Sequence, residues 1–309
     1  MSDTARRLTS PPGGTFGGFT RAGAHLRTAC FVPAVPARGT IVLLTGRNEF
    51  IEKYFETIAD LLDRGFHVHA MDWRGQGLSD RPLPDRMKGH VRDFIDYIDD
   101  LEAFVDIVAA QAPAPLIVMA HSMGGHITAR ALAERPALRR KLAGAVLCSA
   151  MMAIETGGIS ARTAARTARV LVLAGLGRRA VAAPKEKGAG FNALTSDPER
   201  AQDQDHFVAA DPRLALGAPT FGWLDAAFRS MAALTRPGTA EAIDLPVLVA
   251  VAGADTVVKP EAERAFAARL PRATLVEIAE SRHEVLKERE ALRGLFWRAL
   301  DTWAEAIIT

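Results

Sequence analysis

Short runs of aliphatic residues recur along the chain at positions that suit buried β-strands. The first, Thr40–Leu44, has no polar alternation, which is typical of a strand covered on both faces of a parallel sheet. Before it, the loose alternation from Thr20 to Val32, bounded by glycine and proline, predicts an antiparallel hairpin at the sheet edge. Further aliphatic runs follow at Phe66–Met71, Leu116–Ala120, Ala145–Cys148, Val247–Ala252 and Thr274–Ile278.

Helical periodicity fills most of the gaps between these runs. Tyr54–Arg64 and Asp93–Ala110 place apolar residues three and four positions apart, so that each would present one apolar face. Strands that alternate with helices predict an α/β fold with a mostly parallel sheet and helices on both faces. The other helical patterns of this kind are Gly124–Glu134, Glu261–Leu270 and Arg289–Ile307.

The alternation stops between the fourth and fifth parallel-type runs. Residues 151–235 contain helical patterns at Ala161–Leu176 and Phe221–Leu234 and a Gly/Lys/Pro-rich stretch at Pro184–Gly190, but no convincing strand. A loop of that length would need structure of its own, so we predict a helical insertion. The predicted division is a flexible N-terminal segment at 1–19, a core at 20–150 and 236–309, and a helical cap at 151–235.

Composition narrows the classes of protein to be considered. The 309 residues include 38 basic and 36 acidic side chains, and this balance gives no reason to expect a nucleic-acid partner. Two cysteines cannot form a disulfide framework and are interpreted as reduced core residues. No signal-type or membrane-spanning apolar segment is apparent. We therefore expect a cytoplasmic protein, and peripheral contact with a membrane surface remains open.

Ser122 is the candidate nucleophile. The sequence Ala120-His121-Ser122-Met123-Gly124-Gly125 joins an aliphatic run to a helix-forming stretch, which is the strand–turn–helix context of a nucleophile elbow. Small residues two positions before and after the serine let the backbone pack closely at the turn. The alternative is that the serine only caps the helix.

A serine hydroxyl needs a base to take its proton, and the base needs an acid to orient it. Behind such an elbow the acid and the histidine follow later strands, in that order. Asp255 stands after the run Val247–Ala252, at the strand end where sites of open α/β sheets collect. His283 stands after the last run and is the only histidine beyond His206. A turn aspartate and a surface histidine are the alternatives.

Acyl transfer also requires donors for the developing oxyanion. The backbone N–H of Met123 is one candidate, and the N–H of Arg47, in the loop after the first run, is the other. The glycine-rich loop Asp72–Ser79 lacks the spacing of a phosphate-binding loop and is interpreted as a structural turn near the site. His67 and His69 alternate on a strand, but no further ligands accompany them, so no metal site is predicted.

Several of these segments resemble the monoacylglycerol lipase and lysophospholipase branch of the α/β-hydrolase superfamily, over roughly residues 20–305. The resemblance implies an α/β-hydrolase fold with a helical cap, the triad Ser122, Asp255 and His283, and oxyanion donors at Arg47 and Met123. The chain has Thr45-Gly46 where many relatives have histidine-glycine, and we expect Thr45 to form a hydrogen bond within the loop. It also has Ala120 where glycine is usual. The resembling segments are Ala120–Gly125, Asp72–Asp80, Gly253–Val258 and Ser281–Glu284, and, for bacterial lysophospholipase L2 proteins, Glu49–Phe55, Asp72–Gly77 and Phe221–Leu224.

The sequence thus predicts a cofactor-independent hydrolase of a carboxylic ester, with a lysophospholipid or monoacylglycerol as the first candidate substrate. A small-ester esterase, a serine peptidase, a haloperoxidase-like side activity and a low-turnover ligand-binding protein remain as alternatives. The apolar stretches of the cap suggest an acyl groove, although the same pattern fits ordinary helix packing. The sequence does not determine the oligomeric state. The candidate groove residues are Leu171, Leu173, Leu224 and Phe228.

Overall fold

Six of the eight β-strands of the described residues lie where the aliphatic runs predict them. The structure is a computed structural model that describes residues 3–181 and 194–308. The strands are Thr15–Arg21 (β1), Ala24–Phe31 (β2), Gly39–Leu44 (β3), Phe66–Met71 (β4), Leu116–His121 (β5), Gly144–Cys148 (β6), Val247–Ala252 (β7) and Ala273–Ile278 (β8). They form one sheet in the order β1-β2-β4-β3-β5-β6-β7-β8. Strands β1 and β2 pair antiparallel at one edge, β2 pairs antiparallel with β4, and all other pairs are parallel.

Helices cover both faces of this sheet, which confirms the predicted α/β class. Alternate residues of β3 point to opposite sides: Val42 and Leu44 belong to one buried cluster, and Ile41 and Leu43 to the other. That two-sided burial is the reason for its uninterrupted aliphatic run. The α-helices of the described residues are Asp3–Leu8 (α1), Phe55–Asp63 (α2), Ile95–Ala109 (α3), Met123–Glu134 (α4), Pro136–Arg139 (α5), Ala161–Leu171 (α6), Asp203–Ala210 (α7), Phe221–Leu234 (α8), Pro260–Ala267 (α9) and Glu290–Ile308 (α10).

The N-terminal segment is more regular than the sequence analysis predicts. Helix α1 lies within residues 1–19, and β1 begins at Thr15 rather than near residue 20. Arg6 donates to Asp60 and Asp63 on α2, at 2.8 and 2.6 Å, and the buried Arg7 donates to Glu199 at 2.9 Å. A six-residue helix shows little periodicity, and these partners are distant in sequence, so neither the helix nor its contacts could be predicted from the local pattern.

The chain between β6 and β7, which we call the insert, carries helices α6, α7 and α8. Helices α6 and α8 lie within the predicted helical patterns, whereas α7 was not predicted. Helix α8 buries eight of its residues against the core, whereas Ala168 is the buried residue of α6. The chain continues from α6 into a π-helical turn at Val172–Leu176. The predicted Gly/Lys/Pro-rich stretch Pro184–Gly190 lies outside the described residues. Within residues 3–181 and 194–308, no helix combines the length and hydropathy needed to cross a bilayer.

Candidate active site

Ser122 lies in the sharp turn between β5 and α4. Its backbone has φ 52° and ψ −115°, a left-handed conformation that is costly for a residue with a Cβ atom. The N–H of Ser122 donates to the carbonyl of Cys148 at 2.9 Å, and the N–H of Met151 donates to the carbonyl of Ser122 at 3.0 Å. A Cβ on Gly124 would lie 2.5 Å from the carbonyl oxygen of Thr45, so glycine is needed there. The turn thus places the serine at the carboxyl edge of the sheet.

The hydroxyl of Ser122 contacts an imidazole. Its Oγ lies 2.9 Å from Nε2 of His283, and Nδ1 of His283 lies 2.6 Å from Oδ2 of Asp255. A carboxylate only accepts, so the ring proton sits on Nδ1, and Nε2 is left free to accept a proton from the serine. The structure therefore brings the three predicted residues into one hydrogen-bonded line.

The carboxylate of Asp255 is oriented by the backbone of its own loop. Its Oδ1 accepts from the N–H groups of Val257 at 2.7 Å and Val258 at 3.1 Å. The side chain is fully buried. A Cβ on Gly253 would lie 2.6 Å from the carbonyl oxygen of Ala279, so the loops after β7 and β8 pack directly against each other. The loop that holds the acid thus also supports the one that holds the histidine.

The loop after β3 passes beside the serine. A Cβ on Gly46 would lie 3.1 Å from Cβ of Ser122. Arg47 and Met123, the two predicted oxyanion donors, directly follow Gly46 and Ser122 in the chain and so belong to the two segments that meet at this contact. Met123 is also the first residue of α4, and the first N–H groups of a helix have no partner within it.

The side chain of Arg47 connects this loop to the insert. Its guanidinium donates to the carbonyl of Gly217 at 2.5 Å and lies 5.5 Å from the ring centroid of Trp223. Burial lowers the pKa of Arg47 to about 10. The loop that supplies a predicted oxyanion donor is therefore fixed to the insert above the site.

The glycine-rich loop after β4 supports the loop after β3 through side-chain hydrogen bonds. Nε2 of Gln76 donates to the carbonyls of Gly46 at 2.7 Å and Glu49 at 3.0 Å, and Nε1 of Trp73 donates to the carbonyl of Thr45 at 2.8 Å. This loop was predicted to lie near the site, but the part that Gln76 takes in supporting it was not. The hydroxyl of Thr45, for which we expected a hydrogen bond, makes none with the described residues.

A cavity of about 320 Å³ opens onto the serine. One wall is polar, with Glu49, Lys53, His121, Gln204 and Glu284. The remaining wall is largely apolar and combines residues of the insert with residues of the loop after β7. These apolar residues are Met151, Ile154, Leu194, Pro219, Trp223, Leu224, Val257 and Val258.

One of the four predicted groove residues lies on this cavity. Leu224 lines it, whereas Leu171, Leu173 and Phe228 do not. Leu173 is 72% exposed, and Phe228 packs against the core cluster beneath α8. Helical periodicity identified apolar positions, but it could not distinguish the face towards the cavity from faces towards the core or solvent.

A larger hollow, about 420 Å³, lies under the β1–β2 hairpin against α3. It contains Cys30, whose Sγ lies 3.5 Å from Nε2 of His69. Burial raises the pKa of the Cys30 thiol and lowers that of His69 to about 4. A neutral thiol beside a neutral imidazole is a weak nucleophile, so the smaller cavity is the better candidate active site.

The chain is similar in sequence to known proteins over most of its length. Residues 35–290 match the sequence family described as serine aminopeptidase, S33. A probable lysophospholipase L2 of Haemophilus influenzae is 29% identical over 268 residues, which cover 84% of this chain and 82% of that protein. Lysophospholipase L2 of Escherichia coli K12 is 33% identical over 199 residues, covering 60% of this chain but only 54% of the E. coli enzyme.

Solved structures show the same fold. A soluble variant of monoglyceride lipase from Saccharomyces cerevisiae, in complex with a substrate analogue, superposes with a TM-score of 0.76. The superposition covers 97% of this chain and 98% of the yeast chain at 20% identity. At that identity the likeness establishes the α/β-hydrolase fold alone.

Proposed function

Because the chain belongs to the serine aminopeptidase S33 family and has the α/β-hydrolase fold of carboxylic ester hydrolases, we propose that it hydrolyses a lysophospholipid or a monoacylglycerol. The observation that carries the proposal is the hydrogen-bonded line from Asp255 through His283 to Ser122, at the base of a cavity with one apolar wall. The names of the two bacterial relatives and of the yeast lipase support this substrate class.

The proposed reaction has two steps. His283 takes the proton of Ser122 as Oγ attacks the ester carbonyl, and Asp255 stabilises the imidazolium that forms. The N–H groups of Arg47 and Met123 hold the oxyanion. The alcohol leaves with the proton from His283, and the imidazole then activates water, which releases the fatty acid and restores the serine. The two steps use only these side chains, the two backbone N–H groups and water.

The apolar wall is where we propose that the acyl chain lies. An assay with p-nitrophenyl esters, monoacylglycerols and lysophospholipids should give a kcat/KM for a long-chain lipid ester that exceeds that for an acetate ester by about tenfold or more, because each buried methylene contributes roughly 0.8 kcal/mol. Leu224→Ala should lower kcat/KM for the long-chain ester by about tenfold and leave the acetate ester nearly unaffected.

Phe228→Ala is the matched control, because Phe228 is on the same helix but packs against the core. Its folded fraction should retain the chain-length preference. Equal kcat/KM values for acetate and long-chain esters would favour a small-ester esterase, faster peptide cleavage would favour a peptidase, and no turnover of any ester would favour a ligand-binding protein.

We further propose that the outer face of the insert contacts an anionic membrane surface. Ile159, Val170 and Leu173 are 53, 62 and 72% exposed. Arg162 and Arg166 lie among them, are exposed, and form no ion pair with the described residues. A helix that presents arginines beside exposed aliphatic side chains suits the boundary between lipid headgroups and acyl chains.

Charge reversal of this face tests the proposal. Arg162→Glu with Arg166→Glu should reduce cosedimentation with vesicles containing phosphatidylserine by about tenfold or more, since each basic residue near an anionic surface contributes about 1 kcal/mol. Arg140→Glu with Arg298→Glu changes the net charge equally outside the insert and should reduce binding far less. Equal losses in the two double variants would show that binding follows net charge rather than this face.

A further inference from the structure

Five buried polar side chains beside the triad take no part in the proposed ester chemistry. Each is at most 5% exposed. They come from the loop after β3 and the turn that follows it, from the end of β5, and from the loop after β8, so they connect the segments that carry the predicted catalytic groups. They are Glu49, Lys53, Tyr54, His121 and Glu284.

Glu49 is surrounded by donors. Its Oε1 accepts from Nζ of Lys53 at 2.9 Å, and its Oε2 accepts from the hydroxyl of Tyr54 at 2.7 Å and from the N–H of Gly46. A protonated carboxyl would have to donate its proton, whereas these neighbours all donate to Glu49, so the geometry favours the ionised carboxylate. Glu49 is therefore an acceptor to every neighbour, including the ring of His121.

His121 lies between two acceptors. Its Nδ1 is 3.2 Å from Oε2 of Glu49, and its Nε2 is 3.2 Å from the backbone carbonyl oxygen of His283. A neutral imidazole carries a proton on only one nitrogen and would leave the other facing an acceptor without a hydrogen. Both contacts are satisfied only when the ring is an imidazolium.

The charges of this cluster balance with His121 protonated. Lys53 donates to Glu49 at 2.9 Å and to Glu284 at 2.5 Å. Two carboxylates then face one ammonium and one imidazolium. Because an uncompensated buried charge is strongly destabilising, the neutral total supports the protonation state that the hydrogen bonds require.

We propose that Glu49 and an imidazolium at His121 are positioning residues for the reaction proposed above. Glu49 holds the oxyanion loop through the N–H of Gly46, and His121 holds the backbone of His283 through its carbonyl. The imidazole rings of His121 and His283 have centroids 4.8 Å apart. One carboxylate thus sets the relative position of the oxyanion loop, the nucleophile turn and the histidine loop.

The electrostatics favour the same state. Burial would lower the pKa of His121, but the carboxylate of Glu49 outweighs burial and raises it. Burial would raise the pKa of Glu49, but Lys53 and His121 hold it well below its usual range. The charged or titratable groups that face His121 are Glu49, Lys53, Tyr54, His283 and Glu284. Burial, with the charge of Glu49, raises the pKa of Tyr54, and the carboxylates of Glu284 and Glu49 outweigh burial and raise the pKa of Lys53, so these two groups do not titrate before His121.

The sign of the pH effect follows. The folded-state pKa of His121 is raised. The stabilisation that the pair of Glu49 and protonated His121 gives the folded state is therefore complete below the usual histidine range, and it is lost as the pH rises through the raised value. Activity with p-nitrophenyl butyrate should therefore fall on the alkaline side when His121 loses its proton. In Glu49→Gln this fall should move to lower pH.

Glu49→Gln is also expected to lower kcat by about 10²-fold with KM changed by less than about threefold, because small misplacement of reacting groups affects kcat most. Glu56→Gln is the matched control. Glu56 is another buried, ion-paired carboxylate, 3% exposed, whose partners are Arg200 and Arg293. Its folded fraction should keep the wild-type kcat and pH profile.

Nitrogen-15 spectra of histidine-labelled wild-type protein give a readout of the protonation state that needs no substrate. Nitrogen-15 spectra at pH 7 should show both ring nitrogens of His121 protonated, with the assignment made by the signals lost in His121→Gln. A neutral tautomer of His121 at pH 7, or an unchanged kcat in Glu49→Gln, would overturn the proposal. If no ester is turned over, the proposed function fails, and the protonation state is still decided by the spectrum.

Discussion

Replacing Ser122 by alanine is expected to lower kcat for every ester that the protein turns over by on the order of 10⁵-fold or more. The substitution removes the atom that lies 2.9 Å from Nε2 of His283, so no acyl-enzyme can form. Alanine meets the same backbone strain at φ 52° as serine does, and the turn is held by main-chain hydrogen bonds. Steady-state assays, labelling with a fluorophosphonate probe and thermal unfolding should show lost activity, lost labelling and a retained fold.

Ser149→Ala is the matched control for this experiment. Ser149 follows β6, the strand next to β5, is fully buried, and also has a positive φ, of 45°. Its hydroxyl forms no hydrogen bond with the described residues. The variant should keep wild-type activity within about twofold, as expected for a change that removes no interaction. Turnover retained in Ser122→Ala would refute the assignment of the nucleophile.

Asp255→Asn is expected to lower kcat at neutral pH by about 10⁴-fold, as in serine hydrolases where the same change leaves the geometry intact. The structure gives a specific reason. The N–H groups of Val257 and Val258 fix an oxygen at the Oδ1 position, so the asparagine NH₂ group must face Nδ1 of His283. That group can only donate, so the ring proton moves to Nε2, which can then no longer accept from Ser122.

Asp100→Asn provides the comparison for Asp255. Asp100 is another fully buried aspartate, but it is on α3 and pairs with Arg74. Its variant should lose stability while the folded fraction keeps the wild-type kcat. If Asp255→Asn stayed within tenfold of wild type, another acid would have to serve His283, and the buried Glu263, whose Oε1 has no partner in the described residues, would be the residue to examine next.

The sheet and the positions of the three candidate catalytic residues could be predicted from the sequence for one reason. Buried parallel strands such as Thr40–Leu44 need aliphatic side chains on both faces, and the residues after such strands meet at one edge of the sheet. Ser122, Asp255 and His283 were selected by position after strands, which is also the property that brings them together. Their catalytic roles remain predictions that the variants above test.

What could not be predicted depends on long-range partners. Glu49 and His121 are 72 positions apart, and Lys53 and Glu284 are 231 apart, so no local pattern connects them. The i,i+4 pair Glu49 and Lys53 is visible in sequence but would ordinarily indicate an exposed helix face. Leu173 was misplaced because an amphipathic pattern marks an apolar face without specifying what covers it.

Helices α6 and α8 of the insert differ in how many of their residues are buried. Helix α8 packs against the core through eight buried residues. One of them is Ser230, whose Oγ lies 2.6 Å from Nε2 of His126 on α4. Opening α8 would therefore disrupt contacts of α4, the helix that directly follows Ser122. Helix α6 has few such contacts, and segments with few buried contacts open at low free energy. We therefore expect local opening of α6 to leave α8, and with it the helix that follows Ser122, within the cooperative unit of the sheet.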